Sequence, residues 1–105
     1  MKIYYLMIEA IPSLNNPESK KFGGAYVNCW VKASTRKEAL KKVKDYINQE
    51  NWVFIRTEDI WIAQRDSYIN IPDSLESYDE ACKYGSSFVF YIWPIDEDES
   101  VIPTK

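Results

Sequence analysis

The chain has 105 residues, a formal net charge of -3 and an aromatic content of 15%, including four Trp and eight Tyr. At this length we expect one domain, whose folding buries roughly 60–70% of the surface that the unfolded chain exposes. The negative net charge argues against a nucleic-acid or anionic-membrane partner. The chain contains no histidine, which excludes Ser-His-Asp and Cys-His catalytic groups and removes the commonest metal ligand.

Neither the N-terminus nor the cysteines indicate export. In the N-terminal stretch MKIYYLMIEAIP, Glu9 interrupts a short apolar run, which is untypical of a signal peptide. No apolar run approaches the about 20 residues of a membrane span. Cys29 and Cys82 match no zinc spacing, and two buried free thiols are favoured over a disulfide. We therefore expect a cytoplasmic protein without metal or cofactor.

The N-terminal quarter of the chain predicts a strand followed by a loop. From Ile3 to Ile11, apolar residues occupy both alternating faces, which is typical of a strand covered on both sides. The segment Pro12–Gly24 contains two strong turn signals, Asn16-Pro17 and Gly23-Gly24. The glycine pair fits no phosphate-binding motif, because no helix follows it directly. We interpret this segment as a connection between two antiparallel strands.

The next stretch predicts a second strand running into an amphipathic helix. Residues Ala25–Ala33 alternate between a small apolar face and a face that carries Tyr26, Asn28 and Trp30. Thr35 and Glu38 have the spacing of a capping box, so a helix begins there. An apolar stripe at helical spacing follows, and Asn51 is a suitable C-terminal residue of the helix because Asn tolerates the left-handed conformation.

The next segments predict a third strand, a loop and a second helix. Residues 52–64 read either as one long strand with a bulge or as two strands joined at 57–59, and we favour the single bent strand. A loop over 65–74 contains the turn signal Pro72-Asp73. A short helix is predicted over 75–84, with Gly85 as its left-handed terminator. Its inward residues are expected to be Leu75, Tyr78, Ala81 and Cys82.

The last strand is predicted over Ser87–Trp93. Its apolar run is continuous, as expected for a central strand buried on both faces. Pro94 ends the strand because proline has no N–H to donate to a neighbouring strand. The acidic run 96–99 opens a C-terminal segment, 96–105, that we expect to be flexible, leaving 1–95 as the domain.

These elements predict an α+β fold. We expect a two-layer sandwich with a four- to five-stranded, mainly antiparallel sheet and both helices on one face, related to the ferredoxin-like plait. If residues 52–64 formed two strands, 25–93 would make a complete βαββαβ unit.

Four segments carry a resemblance to a group of small uncharacterised bacterial hypothetical proteins. They are GGAYVNCWVKA at 23–33, Glu38-Ala39 at the start of the helix, Asn51-Trp52, and FVFYIWP at 88–94. The resemblance implies no activity and no functional residue.

Candidate catalytic groups are sparse. Cys29 lies in the small apolar face of its strand, which favours a core thiol over a nucleophile. The adjacent carboxylates Glu58 and Asp59 point to opposite faces of a regular strand, so they do not converge as a general acid and base.

The candidate site is the second face of the sheet. If both helices lie on the opposite side, this face is an open platform of rings and polar groups. The residues assigned to it are Tyr5, Tyr26, Asn28, Trp30, Arg56 and Trp93.

Two functions compete for this platform. The first is a non-catalytic interaction domain that binds a second copy of itself or another protein through the aromatic face. The alternative is a small-ligand-binding or sensory domain with a pocket between the sheet and the 12–24 loop. Stacking of bases is disfavoured because the RNA-binding pattern of basic and aromatic residues is absent.

Overall fold

The computed structural model describes residues 1–95 as four antiparallel strands and two α-helices, which confirms the predicted α+β class. The predicted tail, 96–105, lies outside the described residues. The strand order is β3-β1-β2-β4. In chain order the elements are β1 Lys2–Pro12, β2 Phe22–Ala33, α1 Arg36–Gln49, β3 Trp52–Ile62, a 3-10 turn Arg65–Tyr68, α2 Pro72–Tyr84 and β4 Ser86–Pro94.

The sheet is built around the hairpin of β1 and β2. These strands pair from Lys2 opposite Ala33 to Ala10 opposite Ala25 without a register shift. β3 then pairs with the other side of β1, and β4 with the other side of β2. Because the chain begins with this hairpin, its element order differs from βαββαβ, and the relation to the ferredoxin-like plait stays a prediction.

Helix α1 covers one face of the sheet. Its buried residues Ala39, Val43 and Ile47 pack on the small apolar face of β2 and on the even-numbered residues of β1. Leu6, Ile8 and Val27 in this core are fully buried. Tyr46 extends the packing to β4, where its ring stacks on Phe88 with centroids 3.7 Å apart.

Helix α2 covers the opposite face, so the prediction that both helices share one face is wrong. Ala81 of α2 packs with Ile3, Tyr5 and Trp30, whose side chains point away from α1. The physical reason is the composition of β1, whose odd-numbered residues Ile3, Tyr5 and Met7 are as apolar as its even-numbered ones. A single helical layer would have left these side chains exposed to water.

The prediction of one long, bent third strand is confirmed. The pairing of β3 with β1 shifts twice, between Met7 and Ile8 and between Glu9 and Ala10. Each shift leaves one β3 residue, Glu58 or Ile55, without a residue opposite it, which is the geometry of a β-bulge. Two bulges restore the original alternation, so Trp52 and Phe54 at one end and Ile60 near the other all face α1.

The prediction that the last strand is central is wrong, because β4 lies at the edge of the sheet. Its continuous apolar run has a different cause. Phe88 and Phe90 pack against the α1 core, whereas Val89 packs against the α2 core. Helices on both faces therefore demand apolar residues at successive positions even where no outer strand is present.

The helix ends follow capping rules, although α2 begins earlier than predicted. Thr35 caps α1 by accepting a hydrogen bond from the Glu38 amide at 3.1 Å, and Asn51 adopts the left-handed φ of 66° after the helix. Gly85 ends α2 with φ 101°, as predicted. However, α2 begins at Pro72, three residues earlier than expected, because proline suits the first helical position.

The packing of α2 corrects one further expectation. Cys29 is buried, but Cys82 is exposed, since Ser77 and Ala81 rather than Cys82 form the buried line of this helix. The prediction of two buried thiols is therefore wrong for Cys82. Within residues 1–95, no helix is long and apolar enough to cross a membrane.

Replacement of Leu6 tests the α1 core. Leu6 is fully buried in the central strand, so Leu6→Ala is expected to lower the free energy of unfolding by about 2–5 kcal/mol, through lost apolar burial and the cavity left behind. Urea denaturation measures this loss. The matched control is Leu14→Ala, because Leu14 is 99% exposed and its truncation is expected to stay within about 0.5 kcal/mol of the wild type. Equal losses from the two variants would contradict this packing.

Candidate functional site

The predicted site residues share one side of the sheet, which we call the aromatic face. Direct strand pairing places residues on the same side, and three rows cross the sheet in this way. The row nearest α2 contains two of the predicted site residues, the middle row contains one, and the farthest row contains two more. The rows are Trp61-Tyr5-Trp30-Ser87, Asp59-Met7-Asn28-Val89 and Arg56-Glu9-Tyr26-Tyr91.

Helix α2 divides the aromatic face into a closed part and an open part. In the closed part, Trp30 is only 3% exposed and Tyr5 is also buried, so neither ring is available to a partner. The open part, which we define by Tyr26, Tyr91 and Trp93, lies farther from α2. Tyr26 is 42% exposed and Tyr91 57% exposed. The prediction of an open platform is therefore wrong for Tyr5 and Trp30.

The closed part is a packed aromatic cluster. The Tyr5 ring meets Trp30 edge to face, with centroids 5.2 Å apart, and Trp61 at 4.6 Å. Trp30 in turn meets Tyr68 of the 3-10 turn at 6.1 Å. Edge-to-face geometry brings the positive ring edge toward the negative ring face, which stabilises each pair by about 0.5–1.5 kcal/mol beyond burial. These rings hold α2 on the sheet.

One hydrogen bond links the closed part to the middle row. The Tyr5 hydroxyl donates to Asn28 Oδ1 at 2.7 Å. Burial raises the pKa of Tyr5 to about 12, with smaller contributions from nearby groups such as Tyr68. The neutral phenol is therefore the form that the folded protein holds. Asn28 is fixed by this bond, and its role is to support the cluster.

A charged group borders the open part. Arg56 Nη2 lies 2.7 Å from Glu9 Oε1, and Arg56 Nε lies 3.2 Å from Glu58 Oε2. Arg56 thus contacts carboxylates on two neighbouring strands, Glu9 on β1 and Glu58 on β3. Two carboxylates on one guanidinium leave the local charge negative, which disfavours an anionic ligand at this edge of the face.

The glycine pair makes room for Trp93. Both glycines lie in β2, which begins at Phe22, three residues before the predicted start at Ala25. A Cβ on Gly24 would come within 2.5 Å of Trp93 Cζ2. Trp93 also packs on Tyr26, with ring centroids 5.1 Å apart. Gly24 thus allows the indole ring to approach the backbone closely, which requires a position without a side chain.

A small cleft opens where α2 meets the aromatic face. Its volume is about 240 Å³, and one wall is Trp30, whose Nε1 is buried without a hydrogen-bond partner. The remaining lining residues are Asp73, Ser74, Glu76, Ser77, Val89 and Tyr91. The acidic side chains at its mouth give the cleft a preference for cationic or neutral groups.

The 12–24 loop bonds to the α1–β3 turn. Ser13 N donates to the Asn51 carbonyl at 3.0 Å, and Asn16 Nδ2 donates to the same oxygen at 3.0 Å. Asn16 Oδ1 accepts from the Glu18 amide at 2.8 Å, which closes the loop on itself. The pocket expected between this loop and the sheet stays a prediction.

The groups that could perform catalysis are held in unreactive settings. Burial raises the pKa of the Cys29 thiol well above its ordinary value, so the thiol stays protonated. Asp79 is exposed and forms a two-point ion pair with Arg65, at 2.9 and 3.0 Å, which lowers the pKa of the carboxyl group. Within residues 1–95, no group of three His, Cys, Asp or Glu side chains is placed to hold a metal ion.

Sequence reasoning missed Trp61 as a member of the aromatic face. The half-exposed ring packs on Tyr5 because the register places Trp61 opposite it. The two bulges that set this register leave no signal in the alternation of the strand, so the sequence could not assign the ring to a face.

Comparison of the chain with protein-family models, with curated proteins and with solved structures found no match. The resemblance to small bacterial proteins therefore stays a prediction.

The raised pKa of Tyr5 predicts a pH dependence of stability. The folded-state pKa of about 12 exceeds the ordinary value of 10.0, so the stabilisation by the neutral phenol is complete below pH 10 and is lost as the pH rises toward 12. We expect the free energy of unfolding, measured in urea, to fall less steeply over this interval for Tyr5→Phe than for the wild type. Tyr84→Phe, which removes an exposed hydroxyl, is the matched control. Identical pH slopes for Tyr5→Phe and the wild type would refute the assignment.

The contact between Gly24 and Trp93 predicts a coupled pair of substitutions. Gly24→Ala is expected to displace the indole ring and to destabilise the fold by about 1–3 kcal/mol, because the added methyl group overpacks the site. In a Trp93→Ala background the same change is expected to cost less, since the ring is gone. A double-mutant cycle from urea denaturation measures the coupling. Additive effects of the two substitutions would show that the ring does not require the glycine.

Proposed function

We propose that this protein is a non-catalytic interaction domain that binds a protein surface through the open part of its aromatic face. The observation that carries the proposal is the exposure of Tyr26 and Tyr91 beside Trp93, on the stretch of sheet that α2 leaves uncovered. Large rings with a polar tip are typical of binding surfaces, because they bury much area and still form hydrogen bonds.

The position of the open part supports this function. The rings stand on β2 and β4, and the opposite side of these strands packs against the α1 core. A rigid base lowers the conformational entropy that a binding surface loses on association. Arg56, another residue type enriched at interfaces, borders the same surface with Glu9.

The charge distribution favours a protein over a nucleic acid. The basic side chains Lys37, Lys41 and Lys44 belong to α1, on the far side of the sheet from the open part. A base-stacking surface needs cations around its rings to neutralise phosphates. Arg56, in the same row as Tyr26 and Tyr91, is already paired with two carboxylates. The exposed thiol of Cys82 and the free Cys29 fit the reducing cytoplasm that we propose as its location.

Site-specific photo-crosslinking in the native host tests this function. A photoreactive phenylalanine analogue at position 26 is expected to give a discrete covalent adduct with a protein, because Tyr26 stands in the open part on an inner strand. The same analogue at position 84 is the control, since Tyr84 is at least as exposed but belongs to the end of α2. Adding Tyr91→Asp to the chain with the analogue at 26 is expected to abolish the adduct. The proposal fails if position 26 gives no adduct, or if both positions give the same ones.

A further inference from the structure

The two edges of the sheet differ in a way that the proposed function does not use. β3 forms one edge and β4 the other. An exposed edge presents unpaired N–H and C=O groups at every second residue, and it pairs readily with a strand from another chain. Proteins prevent this with charged side chains, bulges and prolines along the edge. The edges can therefore be compared by these features.

β3 has the features that prevent pairing. Its central residues include the charged Arg56, Glu58 and Asp59, and its register is broken by two bulges. A second strand placed along β3 would meet an irregular row of backbone groups and would bury charged side chains. This edge is therefore protected.

β4 lacks these features. The strand SSFVFYIWP carries no charged residue, and its proline stands at the terminal position. Its register with β2 is regular from Ser86 to Trp93, and the single shift falls at the last pair. Within residues 1–95, the backbone hydrogen bonds of this strand go to β2, and no other described segment bonds to its outer side. Among the described residues, the sequence of a central strand is thus placed at an edge without a second partner strand.

We infer that β4 pairs antiparallel with β4 of a second copy of this chain, which joins the two sheets into one of eight strands. A two-fold axis allows the same strand to serve both sides of the contact. The partner must offer a regular, uncharged, unpaired strand, and a second copy supplies one. Although each chain has a net charge of -3, no like charges on β4 meet across this contact. The inference rests on the backbone edge of β4, a strand that also carries Tyr91 and Trp93 of the open part.

Sedimentation equilibrium of the full chain tests the inference. We expect a species of twice the 12.4 kDa chain mass that dissociates on dilution. Ile92→Lys is expected to weaken association about tenfold or more, because two added charges then flank the two-fold axis. The matched control is Ile55→Lys on the β3 edge, since Ile55 is 40% exposed and Ile92 43%, and it is expected to leave association unchanged.

Hydrogen exchange of the wild type gives a second measurement that needs no substitution. Amides in residues 86–94 are expected to gain protection as the protein concentration rises, whereas amides in residues 52–62 are not. This result would support the inference even if Ile92→Lys failed to fold. A monomer at every concentration, a dimer that both lysine variants weaken equally, or protection in a monomer of the β4 amides that do not bond to β2 would each overturn it. The last outcome would mean that the chain covers its own edge.

Discussion

Burial of both faces of β1 is the constraint on which the rest of this structure depends. The strand lies between β2 and β3, and its even- and odd-numbered side chains enter two separate apolar cores. Each core requires its own helix, so α1 and α2 must lie on opposite sides of the sheet. The apolar character of β4 and the burial of Trp30 both follow from this division. The uncovered region around Tyr26 lies where α2 does not reach.

Much of this arrangement could be predicted from local sequence, and the exceptions have physical causes. The caps at Thr35 and Gly85 and the alternation of β2 depend on neighbouring residues, and the structure confirms them. The side of the sheet that a helix covers depends on contacts between distant segments, which alternation does not reveal. The apolar odd-numbered residues of β1 were the signal for a helix on each face. The prediction of one helical layer rested instead on the number of helices, since two are few for covering both faces of a four-stranded sheet.

The candidate site also shows that alternation alone does not reveal which side chains a helix covers. Tyr26 and Trp30 have the same alternation and the same residue class, so sequence reasoning treated them alike. The structure separates them, because Trp30 lies beneath Ala81 and Tyr26 lies beyond the reach of α2. A tryptophan on a strand can hold a helix or bind a partner, and only the position of that helix distinguishes the two roles. Most rings of the chain therefore pack in the cores on the two faces of the sheet, with a smaller set left for binding.

The double bulge of β3 has a consequence for the size of any assembly. If both edges were equally receptive, head-to-tail or edge-to-edge addition could continue without limit, as it does in fibrils. The irregular, charged edge of β3 would stop such growth after one pairing of strands. Pairing through β4 alone, as inferred above, would end in a closed complex of two chains and would keep this apolar strand from seeding an open-ended polymer.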